Sequence, residues 1–274
     1  MNANFIKDFC RYKKYQYLTS KKKKFLNNNQ KDFENIFEIK LIKKNLQNYG
    51  YHVIKNFFSK DECSNLINEI NEFIKDYPEL IWQDDKKSDN RIFGAENISV
   101  KFNKKVKKFT QLSKKVGEKY LKYEIDLFMI MANKIDFKEA NLGSGSGWHL
   151  DSYNKQFKSI IYLNDVNKEN GAFQIIKKSN TNFFLLNMFR KLKNKFPSTR
   201  FTEQEIFSLN IKKENIEELN YSAGTLIFVD TSNIHRGKPL LSGSRYALTS
   251  YFFSKDTFND HSNHFKPKLK KLES

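Results

Sequence analysis

The sequence predicts a mainly β fold with flanking α-helices, and the spacing of its apolar residues is the reason. From Ile125 onward, apolar runs of strand length alternate with polar or glycine-containing turns. Before Ile125, apolar residues recur at helical spacing behind residues that favour helix starts. A basic stretch at residues 181–215 returns to helical spacing and therefore predicts a helical insertion between strands.

The first 45 residues form a Lys-rich segment that contains neither Pro nor Gly. Apolar residues between Phe33 and Leu41 have partly helical spacing, so we expect one or two packed helices here. The Lys21–Lys24 run fits a solvated helix face better than a targeting signal. This segment carries no chemical motif.

Two helices are predicted between the N-terminal segment and the strand-rich region. A short strand at Tyr51–Ile54 precedes Ser59 and Glu62, which have the Ser-x-x-Glu spacing of a capping box. Apolar residues at helical spacing follow until Pro78 stops the helix. A second amphipathic helix is predicted from Lys104 to Lys122.

The strand-rich region supplies most of a predicted domain at residues 46–255. Its strands are expected at residues 125–132, 157–163, 171–176, 224–229 and 245–253. Inside the insertion, Phe183–Phe196 is predicted to be helical, and Thr202 with Glu205 forms a second capping box. Insertions at this place often select substrates, so we expect a lid. Residues 256–274 are predicted to be a charged tail, in which His261 and His264 offer no ligand cluster.

Composition restricts the partners and the compartment. The net charge is +18, but only six of the 49 basic residues are Arg, which argues against a reader of nucleic acid; a functional polyanion-binding surface stays open as the alternative. The sequence has no eighteen-residue apolar run for a membrane span and no signal peptide. Cys10 and Cys63 are expected to be reduced thiols, which favours a cytoplasmic location.

The residues that point to chemistry are His149, Asp151, His235 and Arg245. In an extended chain, residues i and i+2 face the same side, so His149 and Asp151 would project together while Leu150 packs away from them. A distant His235 would complete the two-histidine, one-carboxylate ligand set of non-haem Fe(II) oxygenases. Arg245 follows ten residues later and offers a bidentate donor for a carboxylate.

A glycine-rich run precedes this motif. Gly143, Gly145 and Gly147 lack the spacing of a dinucleotide fingerprint and the Lys-Ser/Thr of a P-loop. We expect them to let the backbone turn tightly beside the metal. The alternative for the whole motif is a structural barrel in which the four residues match by accident.

Two stretches carry a resemblance to a known family. GWHLDSYNKQFKSIIYLNDVNKENGAFQIIKKSN, from Gly147 to Asn180, and GTLIFVDTSNIHRGKPLLSGSRYALTSYFF, from Gly224 to Phe253, resemble the phytanoyl-CoA dioxygenase family of Fe(II)/2-oxoglutarate-dependent dioxygenases. A weaker likeness covers Tyr49 to Ile74. The resemblance implies a double-stranded β-helix (jelly-roll, cupin-like) core, on which the N-terminal helices and the insertion pack.

The resemblance also implies cofactors and their ligands. His149, Asp151 and His235 would bind Fe(II), and Arg245 would bind the distal carboxylate of 2-oxoglutarate, leaving a position for O2. Met131 would line the co-substrate pocket together with the strand at residues 157–163. Arg91 is a further candidate for holding the co-substrate or an anionic substrate, with a loop salt bridge as the alternative.

The implied reaction is hydroxylation of a C–H bond, with decarboxylation of 2-oxoglutarate to succinate and CO2. Related halogenases replace the carboxylate ligand with a small residue, so Asp151 favours hydroxylation. Relatives often have Ser or Thr after the distal histidine where this chain has Arg236 and Gly237. We expect a small-molecule, sugar-linked or lipid-linked substrate. The alternatives are an oxygenase acting on nucleic acid or protein, or an inactive binding module, and the oligomeric state is left open.

Overall fold

The structure is a computed structural model that describes residues 4–20, 36–193 and 195–258. Within these residues the α-helices are α1 (Asn4–Ser20), α2 (Ile36–Tyr49), α3 (Lys60–Asp76), α4 (Val100–Leu121), α5 (Asn182–Lys191) and α6 (Glu203–Ser208). The strands are β1 (Tyr51–Ile54), β2 (Trp82–Gln83), β3 (Asp89–Phe93), β4 (Asp126–Asp136), β5 (Phe157–Tyr162), β6 (Phe173–Ile176), β7 (Ile216–Leu219), β8 (Leu226–Asp230), β9 (His235–Gly237) and β10 (Ser244–Phe253).

The strands form two antiparallel sheets. The large sheet has the order β1-β8-β5-β10-β4-β3-β2, and the small sheet has the order β7-β6-β9. From β4 to β10 the chain passes repeatedly between the two sheets, and His149 bridges to β9 at the edge of the small one. This connectivity is that of a jelly roll, so the prediction of a mainly β core with flanking helices is confirmed.

Helices cover the outer face of the large sheet. Phe157 on β5 and Phe228 on β8 stack with ring centroids 5.8 Å apart within the main apolar core. Helix α4 lies close to this layer, because a Cβ at Gly117 would come within 2.7 Å of the Phe157 ring. The apolar outer face is therefore buried, and the inner face of the sheet is left for the site.

Both predicted capping boxes agree with the structure, whereas two predicted helix bounds do not. Ser59 with Glu62 and Thr202 with Glu205 both form reciprocal capping boxes, at the starts of α3 and α6. Helix α4 begins at Val100, where the Ser99 side chain accepts from a backbone N–H, rather than at Lys104. In the insertion, the predicted helix of residues 183–196 ends at Lys191, ahead of the loop that carries Pro197.

The N-terminal helix packs on the insertion. Tyr12 of α1 is 1% exposed and contacts the rings of Phe189 and Tyr153. Lys13 donates to the Asn182 side chain at the start of α5, at 2.7 Å. Helix α2 instead joins the main core through Ile42 and Leu46. The two predicted N-terminal helices are thus present, and each covers a different part of the domain.

Some predictions fall on residues outside those described: the Lys21–Lys24 run, most of the 256–274 tail, and His261 with His264. Cys10 and Cys63 are both free thiols, as expected. Among the described helices, none combines the length and the apolar character that a membrane crossing requires.

Candidate metal centre

The glycine-rich run turns tightly and leads into the site. The extended conformation considered for this segment is present only at His149, because residues 143–148 form turns and His149 alone in this segment makes β-bridges. Gly143, Gly145 and Gly147 all have positive φ, a backbone conformation that breaks a strand and suits glycine. These turns place His149 opposite His235, as the predicted close turn beside the metal requires.

Backbone pairing holds the two histidines side by side. His149 N–H donates to the His235 carbonyl at 2.9 Å, and His235 N–H donates to the His149 carbonyl at 2.7 Å. Two residues on, Asp151 N–H donates to the Thr231 carbonyl at 2.9 Å. Leu150 is 1% exposed in a separate apolar cluster, so His149 and Asp151 face one side and Leu150 the other.

The three side chains converge on one point. Nε2 of His149 lies 3.8 Å from Oδ1 of Asp151, and Nε2 of His235 lies 3.9 Å from Oδ2. One nitrogen or oxygen from each residue lies within 4.8 Å of the others. Two imidazoles and one carboxylate at these separations can bind one cation on a single face, which suits Fe(II).

The outer ring nitrogens fix the orientation of both histidines. Nδ1 of His149 is 2.9 Å from the Gly147 carbonyl, and Nδ1 of His235 is 2.8 Å from the Asn233 carbonyl. A carbonyl can only accept, so each Nδ1 carries the proton and each Nε2 keeps its lone pair. Both lone pairs are thereby directed to the common point, as metal-ligating histidines require.

Burial sets the charges of these groups. It lowers the pKa of His149 to about 3, helped by the facing His235, and it also lowers the pKa of His235. Burial alone would raise the pKa of Asp151, but Lys158 and the two histidines hold it below its usual range. At neutral pH the site therefore contains two neutral imidazoles and a carboxylate, the protonation states that bind a metal.

Lys158 on β5 is part of this site, although the sequence prediction did not single it out. Its ammonium lies 2.8 Å from Oδ2 of Asp151, and its side chain is 10% exposed. It also lies 4.1 Å from the centroid of the Tyr251 ring. The ion pair between Lys158 and Asp151 occupies Oδ2 of the carboxylate, which leaves Oδ1 the freer atom for a metal.

Gly145 is required by the packing above His149. It has a φ of +84°, and a Cβ at this position would overlap Cε1 of the His149 ring. A side chain here would therefore displace a metal ligand. Gly147 has a similar φ of +88°, but a Cβ there would have nothing within 4 Å.

A pocket of about 390 Å³ opens over the three ligands, within the range of small-molecule sites. Alternation along the strands of the large sheet determines most of its lining, because residues two apart share a face. It is lined on β3 by Arg91 and Phe93, on β4 by Met131 and Asn133, on β5 by Lys158, Ile160 and Tyr162, and on β10 by Arg245, Ala247, Thr249 and Tyr251.

Arg245 reaches this pocket from β10 and is 4% exposed. Its Nη1 donates to the Gly171 carbonyl, and its Nε has no hydrogen-bond partner. Within the described ranges no carboxylate pairs with it, and burial lowers its pKa. A buried guanidinium without an anion is a strong candidate for binding one.

Arg91 also lines the pocket, but it is paired. Its guanidinium donates to the Asp89 carboxylate and lies 4.7 Å from the centroid of the Trp82 ring. The Asp89 carboxylate is held in turn by the Asn133 side chain. Arg91 therefore makes a salt bridge, on strand β3 rather than in a loop, and it also lines the pocket; its binding of the co-substrate or an anionic substrate stays a prediction.

The departure at Arg236 and Gly237 also has a physical basis. Arg236 stacks on Trp148, 4.2 Å from its ring centroid, and pairs with Glu203 of the insertion. Trp148 is 3% exposed and packs outside the metal site. Gly237 lines the pocket, where a Cβ would come within 3.0 Å of the Arg245 guanidinium. Glycine therefore leaves room for that arginine.

Arg200 is a second pocket residue that the sequence prediction missed. It lies in the insertion, outside the strand pattern, and forms a β-bridge with His149. No local motif indicates this position, because the bridge joins segments about fifty residues apart. Lys158, by contrast, could have been found from the predicted strand, since Lys158, Ile160 and Tyr162 alternate with Phe157, Ser159 and Ile161, which face away from the pocket.

A family model for phytanoyl-CoA dioxygenase (PhyH) matches residues 46–247 of this chain. That range contains His149, Asp151, His235 and Arg245. No curated protein sequence matches the chain.

Several solved structures share the fold at low sequence identity. The α-ketoglutarate-dependent epimerase SnoN from nogalamycin biosynthesis is 13% identical with a TM-score of 0.58, over 79% of this chain and 83% of its own. HygX from Streptomyces hygroscopicus, solved with nickel and 2-oxoglutarate, is 13% identical with a TM-score of 0.55, over 78% and 87%. A prolyl-4-hydroxylase from Pseudomonas putida is 13% identical with a TM-score of 0.51, over 79% and 99%.

The family match covers most of the chain, and the shared fold and the convergent histidines and aspartate agree with it. The chain belongs to the phytanoyl-CoA dioxygenase family of Fe(II)/2-oxoglutarate-dependent dioxygenases.

Proposed function

We propose that this enzyme hydroxylates a C–H bond of a small-molecule substrate, with decarboxylation of 2-oxoglutarate to succinate and CO2. The observation that carries the proposal is the convergence of four residues on one pocket. His149, Asp151 and His235 present ligand atoms within 4.8 Å of one another, and Arg245 lines the same pocket without an anionic partner among the described residues.

In this proposal, His149, Asp151 and His235 hold Fe(II). The donor set fits the ion, because both histidines direct an unprotonated Nε2 to the common point and the carboxylate is ionised. When bound, Fe(II) with 2-oxoglutarate and O2 supplies the oxidising power that the side chains lack. The contribution of the chain is to fix the ligands, to place the substrate and to limit access of water.

Arg245 would bind the distal carboxylate of 2-oxoglutarate. Its guanidinium is held by the Gly171 carbonyl, and Nε is left unpaired in a buried place. A carboxylate would satisfy this donor and neutralise the buried charge at the same time. Met131 and Tyr162 line the pocket and would confine the carbon chain of the co-substrate, while Arg91, whose charge is matched by Asp89, would form part of the pocket wall around it.

Hydroxylation is the outcome that the ligand set favours. The carboxylate of Asp151 occupies the position that related halogenases leave open to a halide. Structural relatives include an epimerase and a carbocyclase, so the reaction that follows C–H cleavage depends on how the substrate is placed. HygX has been solved with hygromycin B and SnoN with nogalamycin RO, which supports a small molecule here. A sugar-linked or lipid-linked molecule is our preferred class.

The free thiols of Cys10 and Cys63 support a cytoplasmic location as part of this proposal. The scarcity of arginine continues to argue against a nucleic-acid substrate.

The role of Arg245 can be tested by calorimetric titration of 2-oxoglutarate into nickel(II)-loaded protein. Nickel(II) replaces Fe(II) so that the co-substrate binds without being turned over. Replacement of Arg245 by Met should weaken binding by about tenfold or more, the size expected for a charged hydrogen bond. The matched control is Arg190→Met, on the exposed surface of α5 and hydrogen-bonded only to Asn187 in the described structure. Equal affinities in the two variants would overturn this assignment.

A further inference from the structure

We infer that the primary substrate carries an anionic group, a carboxylate or a phosphate monoester, and that Arg200 binds this group beside the metal centre. The inference rests on the proposed function, because it assigns a substrate class to the same pocket. It is carried by the position of Arg200, by its free donors and by the charges around it.

The position of Arg200 is fixed by the metal site itself. Its backbone forms a β-bridge with His149, and its side chain lines the pocket while the residue stays exposed. Nη1 donates to the Gly145 carbonyl, in the turn that covers the His149 ring. The guanidinium is therefore adjacent to the metal ligands and reachable from solvent, as a substrate-binding group at the pocket mouth must be.

Arg200 keeps most of its hydrogen-bonding capacity. A guanidinium has five N–H donors, and the Gly145 carbonyl uses one. In the described parts of the chain no carboxylate lies within ion-pair distance of it. Nearby acids of the insertion are engaged elsewhere: Glu205 pairs with Lys195, and Glu203 pairs with Arg236.

The loop around Arg200 is built to present this side chain. Lys195 is 7% exposed and its ammonium donates to the Arg200 carbonyl as well as to both oxygens of Glu205. Glu205 also closes the capping box of α6. The backbone of Arg200 is thereby tied to an ordered helix start on one side and to His149 on the other.

The charge of the loaded pocket favours an anionic substrate. Four cationic side chains line it: Arg91, Lys158, Arg200 and Arg245. Arg91 is matched by Asp89 and Lys158 by Asp151. The two positive charges of a bound divalent ion and the two negative charges of 2-oxoglutarate would cancel. The loaded pocket would therefore keep two uncompensated positive charges, equal to those of Arg200 and Arg245, even though Arg245 contacts 2-oxoglutarate. An anionic substrate would neutralise this excess, whereas a neutral substrate would leave it in place.

The test uses nickel(II)-loaded protein saturated with 2-oxoglutarate, so that Arg245 is occupied and no turnover occurs. Two anionic probes, phenyl phosphate and benzoate, are titrated beside two neutral ones, phenol and benzamide. Arg200→Gln removes the charge, Arg200→Lys keeps a charge without the planar fork, and Arg190→Gln is the control for loss of an arginine from the insertion. Nickel affinity is measured for every variant, which shows that the metal site remains intact.

We expect an anionic probe to bind the natural protein about tenfold or more tightly than its neutral partner, by the strength of a charged hydrogen bond. Arg200→Gln should abolish this preference, Arg200→Lys should retain part of it, and Arg190→Gln should leave it unchanged. The better of the two anions identifies the group as carboxylate or phosphate.

Absence of a preference for the anions, or a preference that survives in Arg200→Gln, would overturn the inference. Failure of nickel and 2-oxoglutarate to bind would instead contradict the proposed function. In that case the same probes and variants in the metal-free protein still decide the role of Arg200.

Discussion

Lys158 makes a buried contact that the ligand set alone does not require, and its removal has a calculable effect. Its ammonium lies 2.8 Å from Oδ2 of Asp151; the lysine side chain is 10% exposed and the aspartate side chain 22%. Replacing Lys158 by Met keeps the length of the side chain beneath Tyr251 but leaves the carboxylate between two neutral imidazoles. Loss of one partner from a buried ion pair costs about 3–5 kcal/mol.

The partial exposure of Asp151 places the expected loss at the lower end of that range. We therefore predict that Lys158→Met lowers the free energy of unfolding of the metal-free protein by about 3 kcal/mol. Nickel(II) should recover part of this loss, because a bound cation supplies the missing positive charge. The stabilisation by nickel should thus be larger in the variant than in the natural protein.

The assay is urea unfolding with and without nickel, applied to Lys158→Met, Asp151→Asn and the double variant. If the pair interacts as the distances indicate, the double variant should be less destabilised than the sum of the single variants by about 2 kcal/mol. Additive effects within about 0.5 kcal/mol would contradict a direct interaction between the two side chains. They would mean that the lysine and the aspartate contribute independently.

Three further predictions concern the glycine turn, protonation and the N-terminal helix. Gly145→Ala should weaken nickel binding by about 10- to 100-fold, because its Cβ would displace the His149 ring, while Gly147→Ala shares the backbone strain but should bind nickel normally in the same titration. Burial lowers the pKa of His149, so its contribution to stability is fully present above about pH 6.5 and is lost as the pH falls toward about 3. Between pH 6 and 4, the free energy of unfolding of the metal-free protein should fall less steeply in His149→Gln than in the natural protein, by about 1.4 kcal/mol per pH unit. An unchanged slope would show that this imidazole does not resist protonation. Tyr12→Ala should cost about 3 kcal/mol and speed amide exchange in α5, whereas Leu18→Ala, at a residue 53% exposed, should do neither. Equal exchange in the two variants would contradict the packing of α1 on the insertion.

His149 and Asp151 could be predicted as metal ligands from the sequence because they lie only two residues apart. Side-chain alternation placed His149 and Asp151 on one face with Leu150 on the other, and this arrangement holds even though the segment is not a continuous strand. The reason is that the β-bridge between His149 and His235 sets the direction of the His149 side chain, and Asp151, two residues on, then faces the same side. The capping boxes at Ser59 and Thr202 were equally local.

The features that the sequence did not reveal depend on long-range contacts. Lys158 meets Asp151 only because β5 passes beneath the metal ligands, and Arg200 meets His149 only because the insertion folds back over the site. The contact of Tyr12 on α1 with Phe189 on α5 joins two helices that are far apart in the sequence, and no local motif indicates it. Periodicity reports which face of an element is buried, but it does not report which distant element covers that face.

In the proposed function, His149, Asp151 and His235 hold Fe(II) in a pocket that also takes 2-oxoglutarate. The most direct measurement is an anaerobic titration of the metal-free protein with Fe(II) and 2-oxoglutarate, followed by visible absorption. We expect a metal-to-ligand charge-transfer band in the natural protein and its loss in His149→Ala, with folding of the variant checked by circular dichroism. A folded natural protein that develops no band, or a band that persists in His149→Ala, would show that these three residues do not hold Fe(II) together with 2-oxoglutarate.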